Sequence, residues 1–139
     1  MANTITKQTL ADGERNLIVK VHLASDGTEE TDLVLIDVSD YNGAASGGLR
    51  HPWTEVKIEK IDFTGLANAA SLTFSWDADA NVKAFTVNPG NNSSPLDWCR
   101  VGGLINNAGT GKTGDILLTT TGLASGDELT FTLYMKKRS

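Results

Sequence analysis

The segment Gly109–Gly114 is the part of the sequence that comes closest to a phosphate-binding loop, because it contains Gly-Lys-Thr at positions 111–113. The P-loop pattern G-x-x-x-x-G-K-[ST] also requires an earlier glycine and a following helix, whose N-terminal amides hold the phosphate. Asn106 stands in place of that glycine, and the residues after Gly114 have the pattern of a strand. We therefore expect a turn here and no nucleotide site.

The segment 77–81, Asp-Ala-Asp-Ala-Asn, resembles the beginning of an EF-hand calcium loop. That loop needs glycine at its sixth position and glutamate at its twelfth, and it lies between two helices. Val82 and Asn88 occupy those positions, and the flanking residues alternate as strands do. The sequence favours a β-hairpin between Trp76 and Val82.

The other residues whose side chains could act in catalysis or bind a metal are His22, His51 and Cys99. His22 lies in an alternating strand and is expected at the surface or at an edge, whereas His51 ends a long loop. Neither belongs to a nucleophile elbow or to a metal-binding pattern. A single cysteine excludes an internal disulfide and a cysteine zinc site, and its apolar neighbours predict a buried free thiol. We expect no enzyme activity, no cofactor and no metal.

Two tryptophans stand beside the two longest loops, 41–52 and 88–96. Aromatic and arginine side chains near loops are frequent interface anchors. Arg50, Trp53 and Trp98 are therefore our candidate partner contacts, and core packing is the alternative for each tryptophan. The loops themselves are equally well explained as crossovers between sheets. Trp76 continues an apolar series and is predicted to be buried.

The elements that must position these residues are strands, because apolar residues recur with a period of two along most of the chain. The clearest runs are 17–23, 72–76 and 129–135, and turn residues such as Asp12-Gly13 and Asn42-Gly43 separate them. We predict an all-β fold: a single-domain antiparallel β-sandwich over residues 1–139, jelly-roll-like, with about eight or nine strands. Residues 1–10 are polar and are expected to form an N-terminal arm that adds to a neighbour's sheet edge.

Three local features refine this prediction. The apolar series changes parity between Ile58 and Ile61, which predicts a β-bulge near residues 59–60. The nearly continuous apolar run 33–38 predicts a strand covered on both faces. The basic residues 136–138 are interpreted as a solvated tail.

Composition excludes several classes of partner. The 139 residues carry 12 basic and 17 acidic side chains, a net charge of -5. Nucleic acids and anionic membranes bind cationic surfaces, so neither is expected as a partner. The first residues do not form a secretory signal, and no apolar stretch is long enough to span a bilayer, so we expect synthesis in a cytoplasm.

Several stretches together resemble a family of small virion proteins of tailed bacteriophages. They are residues 10–21, 32–39, 56–62 and 102–120, followed by the terminal strand 129–136, and the block 102–120 is the most distinctive. Within that class the sequence is similar to capsid decoration, or cement, proteins.

The resemblance implies a structural virion protein on the capsid exterior with a β-sandwich or jelly-roll fold. It implies the major capsid protein and copies of the same chain as partners, with a homotrimer as the commonest assembly. No catalytic, cofactor or metal residue is associated with the resemblance. The alternatives are a tail or neck component of the virion and a carbohydrate-binding β-sandwich module, for which Trp53 and Trp98 would supply aromatic surfaces.

Overall fold

The period-two segments form strands in two antiparallel sheets, which confirms the predicted all-β sandwich. The computed structural model describes residues 3–13, 15–38, 41, 55–66, 71–88 and 96–138. Within these residues there are nine strands: β1 Thr4–Asp12, β2 Asn16–Asp26, β3 Leu33–Ile36, β4 Glu55–Leu66, β5 Ser71–Trp76, β6 Val82–Val87, β7 Leu96–Asp97, β8 Ile116–Thr121 and β9 Ser125–Arg138. One sheet has the order β1-β2-β9-β4-β7 and the other the order β3-β8-β5-β6.

The strand pairs are nested along the chain. β2 pairs with β9, β3 with β8, β4 with β7 and β5 with β6, all antiparallel. The chain from β2 to β9 is therefore paired like one long hairpin that has been folded over into two sheets. β1 is added outside this scheme, at the free edge of β2.

The core lies between the sheets and is formed by the inward rows of each strand. β2 alone contributes Leu17, Val19, Val21 and Leu23, all fully buried. Phe131 on β9 meets Phe74 on β5 edge to face, with ring centroids 5.5 Å apart, and so joins the two sheets at the centre. The predicted burial of Trp76 is confirmed, since 1% of it is exposed.

The predicted bulge in β4 is present. The register of β4 against β9 shifts between Ile58 and Lys60, so one extra residue is accommodated there. Because of this shift, Ile58 and Ile61 both point inward and both are fully buried. The parity change in the sequence is thus explained by the bulge.

The prediction of a strand covered on both faces over residues 33–38 is wrong. β3 is a short edge strand of the four-stranded sheet. Leu35 and Ile36 are buried, but Val34 is 42% exposed. The register of β3 against β8 shifts between Val34 and Ile36, so that Leu35 and Ile36 are both buried. The continuous apolar run is therefore explained by this irregularity at an edge strand and not by cover on both faces.

Residues 136–138 are part of a paired strand and not a tail, and the solvated position predicted for them is wrong for Lys137, although Lys136 is half exposed. These residues end β9, which lies between β2 and β4. The side chain of Lys137 is 1% exposed and forms an ion pair with Asp12. Its ammonium also donates to the carbonyl oxygen of Gly13 at 2.6 Å.

The expected N-terminal arm takes a different form in the structure. Residues 4–12 are β1, which pairs with β2 of the same chain from Thr4 opposite Ala24 to Asp12 opposite Leu17. Most of its side chains are exposed. A partner can therefore meet this segment along the outer edge of β1, and no free arm is needed for that contact.

Candidate interaction surface beside β7

An aromatic row runs from the centre of the core to one side of the sandwich. Phe131 contacts Phe74, which stacks on Phe85 with centroids 4.6 Å apart. Phe85 contacts Trp98 at 4.8 Å with a tilted geometry. Because β6 and β7 are the edge strands on this side, Trp98 closes the space between the two sheets here. This contact with Phe85 agrees with the alternative prediction that Trp98 packs against the core.

The loop that follows β7 is held by backbone hydrogen bonds around Trp98. The amide of Trp98 donates to the carbonyl of Glu59 at 2.8 Å, and the amides of Val101 and Gly103 both donate to the carbonyl of Trp98, at 3.0 and 2.9 Å. Gly103 has a φ of +94°, and a Cβ there would lie 3.2 Å from the carbonyl oxygen of Ile58. A glycine is therefore required for the loop to return to β4 at this distance.

This rigid loop presents apolar side chains to solvent. Val101 is 75% exposed and Ile105 is 54% exposed, and the neighbouring Cys99 and Arg100 are also exposed. We name these four residues the β7 patch. Val101 and Ile105 are not among the contact residues predicted from the sequence. The signal available was an apolar residue on each side of a Gly-Gly turn, where turns usually carry polar residues.

The predicted burial of Cys99 is wrong. It lies in the 3₁₀ turn Cys99–Val101, outside the sheet, and it is exposed. A hydrogen bond with Asp97, together with partial desolvation and the nearby carboxylates of Asp97 and Glu59, raises the pKa of the Cys99 thiol. The backbone amide of Cys99 donates to the Asp97 carboxylate at 2.8 Å and is the main cause of the lowered pKa of Asp97, to which the thiol contact adds. A thiol with a raised pKa is a poor nucleophile.

The other two predicted partner contacts, Arg50 and Trp53, lie outside the described residues, as does His51. The described strands that precede the segments 41–52 and 88–96 end at opposite ends of the sandwich. β3 ends where Trp76 pairs with Ile116, and β6 ends where Leu72 pairs with Val87.

His22 lies on the outer face of the five-stranded sheet, so its predicted surface position is confirmed, although β2 is not an edge strand. Its Nδ1 is 2.8 Å from the hydroxyl of Thr130, and its Nε2 is 3.3 Å from a carboxylate oxygen of Glu128. These are the atom types of a nucleophile, base and acid. β2 and β9 are both interior strands, however, and their amides are used in the ladder, so they offer no oxyanion hole. The arrangement is best described as a cross-strand polar network.

The two segments that resemble ligand loops are joined to each other at one end of the sandwich. β5 and β6 form the predicted hairpin, with Trp76 opposite Val82, and the Gly109–Gly114 segment forms turns that lead into β8 as predicted. The Thr113 hydroxyl donates to a carboxylate oxygen of Asp77 at 2.8 Å, and the Asp79 amide donates to the carbonyl of Thr110. The backbone and side-chain groups of each segment thus bind the other segment.

Across the described ranges, no group of three or more His, Cys, Asp or Glu side chains is arranged to hold a metal ion. No helix in the same ranges is long and apolar enough to cross a membrane. Comparison with known proteins gives no match, whether to a family model, to a curated protein or to a solved structure.

Proposed function

We propose that this protein is a structural component of a tailed-bacteriophage virion that binds the outside of the capsid and stabilises it through protein–protein contacts. The sequence resemblance supports the proposal. The nested strand pairing is what we expect of a jelly roll, a fold used by viral capsid proteins. The net charge of -5 favours a position away from packaged DNA. Because a fold alone does not define a function, the proposed function must rest on the residues that the protein exposes at its surface.

The observation that carries the proposal is the β7 patch. Val101 and Ile105 lie on a loop that is held to β4 by backbone hydrogen bonds at Trp98 and at Leu104. A partner that covers them buries apolar area without having to order the loop, which lowers the entropic cost of binding. Arg100 at the same site matches the enrichment of arginine in interfaces.

The partners we propose are the major capsid protein and further copies of this chain, without nucleic acid or membrane. The trimer is the assembly that the resemblance implies. We propose no enzymatic role. A glycan-binding role receives no separate support from the described residues, because Trp76 is buried and the ring of Trp98 packs on Phe85.

The experiment is to add the purified protein to phage particles that lack it and to image them by electron cryomicroscopy. We expect ordered extra density on the outside of the capsid. Density at the neck or tail would replace the capsid assignment with the tail or neck alternative. Particles without extra density would refute the virion proposal.

The role of the β7 patch is tested with the double variant Val101→Thr/Ile105→Thr, which keeps β-branched side chains but makes them polar. Thr64→Ala is the control, because Thr64 is also exposed but lies on an interior strand of the five-stranded sheet, outside both the β7 patch and β1. We expect the double variant to lose most of its density and the control to keep it. Equal density for both variants would exclude the β7 patch as the contact.

A further inference from the structure

The outer edge of β1 carries unpaired backbone groups. β1 is nine residues long and lies at the end of the five-stranded sheet. In an antiparallel ladder, every second residue turns its N–H and C=O away from its neighbour. Within the described part of the chain, the backbone of Thr4–Ala11 bonds only to β2. About four residues of β1 thus present free donors and acceptors in a row.

The side of the molecule around this edge is uncovered and partly apolar. β1 extends beyond the four-stranded sheet, whose edge on this side is β3, and every side chain from Thr6 to Leu10 is exposed. Leu10 is 51% exposed and Val34 is 42% exposed. The two edges are joined by Lys7, whose ammonium donates to the carbonyl of Val34 at 3.4 Å. We call β1 together with Val34 the β1 side.

We propose that the β1 side binds a second copy of this chain, with the two β1 strands paired antiparallel about a two-fold axis. A row of alternating N–H and C=O groups is satisfied only by another extended polypeptide. An antiparallel strand is complementary to itself under two-fold symmetry, so the same residues serve both copies. The two five-stranded sheets then form one continuous sheet through the dimer.

Charge supports a second copy as the occupant. The whole chain has a net charge of -5, so two copies repel each other over most of their surface. Between Thr4 and Ala11 the one charged side chain is Lys7, and its ammonium is held at the Val34 carbonyl. The β1 side is therefore a nearly neutral stretch along which two copies can approach.

The available area fits a weak dimer. Nine residues in a strand are about 30 Å long, and one strand with its side chains is about 10 Å across. The contact of β1 is then about 300 Å² on each copy, or about 600 Å² in total, which lies below the range of standard interfaces and is typical of a transient contact. We expect a weak dimer whose population rises with concentration.

The sequence of β1 also limits the pairing. A two-fold axis at Lys7 would place two lysines opposite each other, so an axis nearer Gln8 is favoured. The register of β1 against β2 shifts between Thr9 and Ala11, which makes Leu10 a bulge residue. This bulge ends the regular ladder, so a slipped register gains few bonds and a single register is preferred.

The test is the mass of the full chain in solution as a function of concentration, by light scattering or sedimentation. We expect the wild type to associate in pairs, or in pairs of whatever larger assembly forms through other contacts. Thr6→Lys/Gln8→Lys places four additional cations along the two-fold seam and should raise the dissociation constant at least tenfold. The matched control is Thr64→Lys/Thr132→Lys, which adds the same charge to the same sheet face on interior strands.

Hydrogen exchange supplies the direct readout, because amides of Thr4–Thr9 should exchange more slowly as the concentration rises. A wild type that does not pair up to about 1 mM, equal association of both lysine variants, or exchange in β1 that is independent of concentration would each overturn the proposal. The inference goes beyond the proposed virion function and is measured without particles. Failure of the particle experiment would therefore not refute the dimer, and failure of the dimer experiment would not refute the virion proposal.

Discussion

Two adjacent lysines at the end of β9 provide a matched test of the charge that the sandwich buries. The side chain of Lys137 is 1% exposed, and it pairs with Asp12, which is 18% exposed. The side chain of Lys136 is 47% exposed, and its ammonium is 3.8 Å from a carboxylate oxygen of Glu59. The two residues have the same side chain and are adjacent in the sequence, but only Lys137 is buried.

Replacement of Lys137 by methionine keeps the apolar stem and removes the ammonium. Asp12 then loses its cation and the Gly13 carbonyl loses a donor. Breaking a buried ion pair by removing one partner costs about 3–5 kcal/mol. Because Asp12 retains some contact with water, we expect Lys137→Met to lower the free energy of unfolding by about 2–3 kcal/mol. Lys136→Met should change it by less than about 0.5 kcal/mol.

Urea denaturation of the two variants and the wild type measures this difference. With a slope of about 1–3 kcal/mol per molar, the midpoint should fall by about 0.7–3 M for Lys137→Met and hardly at all for Lys136→Met. A difference between the variants below about 0.5 kcal/mol would refute the reasoning. Lys137 would then be solvated, as the sequence alone indicates.

Three further results are expected. Trp98→Ala should lower the free energy of unfolding by about 2 kcal/mol in urea titrations, roughly half the cost for a fully buried tryptophan, and an unchanged midpoint would exclude its packing role. Burial and two nearby aspartates raise the pKa of Asp115, so this group destabilises the fold increasingly as the pH rises from the ordinary aspartate pKa to the raised one. Asp115→Asn should stabilise by less than about 1 kcal/mol at pH 7, and thermal unfolding should show that this gain disappears below the ordinary aspartate pKa. Cys99 is exposed, but because its thiol pKa is raised it should react more slowly with iodoacetamide in the folded than in the urea-unfolded chain. Asp97→Asn should speed labelling of the folded protein. Equal labelling rates in the folded wild type and the folded variant would contradict the assigned cause.

The features that the sequence predicts correctly are those that depend on the local pattern of apolar and polar residues. The strands follow from alternation, and the bulge near Glu59 follows from the parity change between Ile58 and Ile61. The turn at Gly109–Gly114 and the hairpin at 77–81 follow from positions where ligand motifs lack a required residue. Each of these inferences needs only a few consecutive residues, so no knowledge of the tertiary structure is required.

The features that sequence analysis misses depend on residues far apart in the chain. Lys137 is buried because it meets Asp12, which is 125 positions away. Val34 is exposed because β3 has a neighbour on one side only, and Cys99 is exposed because the chain leaves the sheet after β7. Trp98 is positioned by Phe85 across the two sheets. None of these contacts can be inferred from the residues that are adjacent in the sequence.

The nested pairing of strands has a consequence for the synthesis of the protein. β9 is translated after all the other described strands, yet it lies between β2 and β4 and pairs with both in the five-stranded sheet. While the ribosome is still translating the preceding residues, β2 and β4 have no partner between them and expose their apolar rows. Such a chain has many contacts between distant residues and folds slowly. The five-stranded sheet therefore forms after residues 125–138 have left the ribosome, and until then the nascent chain depends on chaperones or on its own solubility to avoid aggregation.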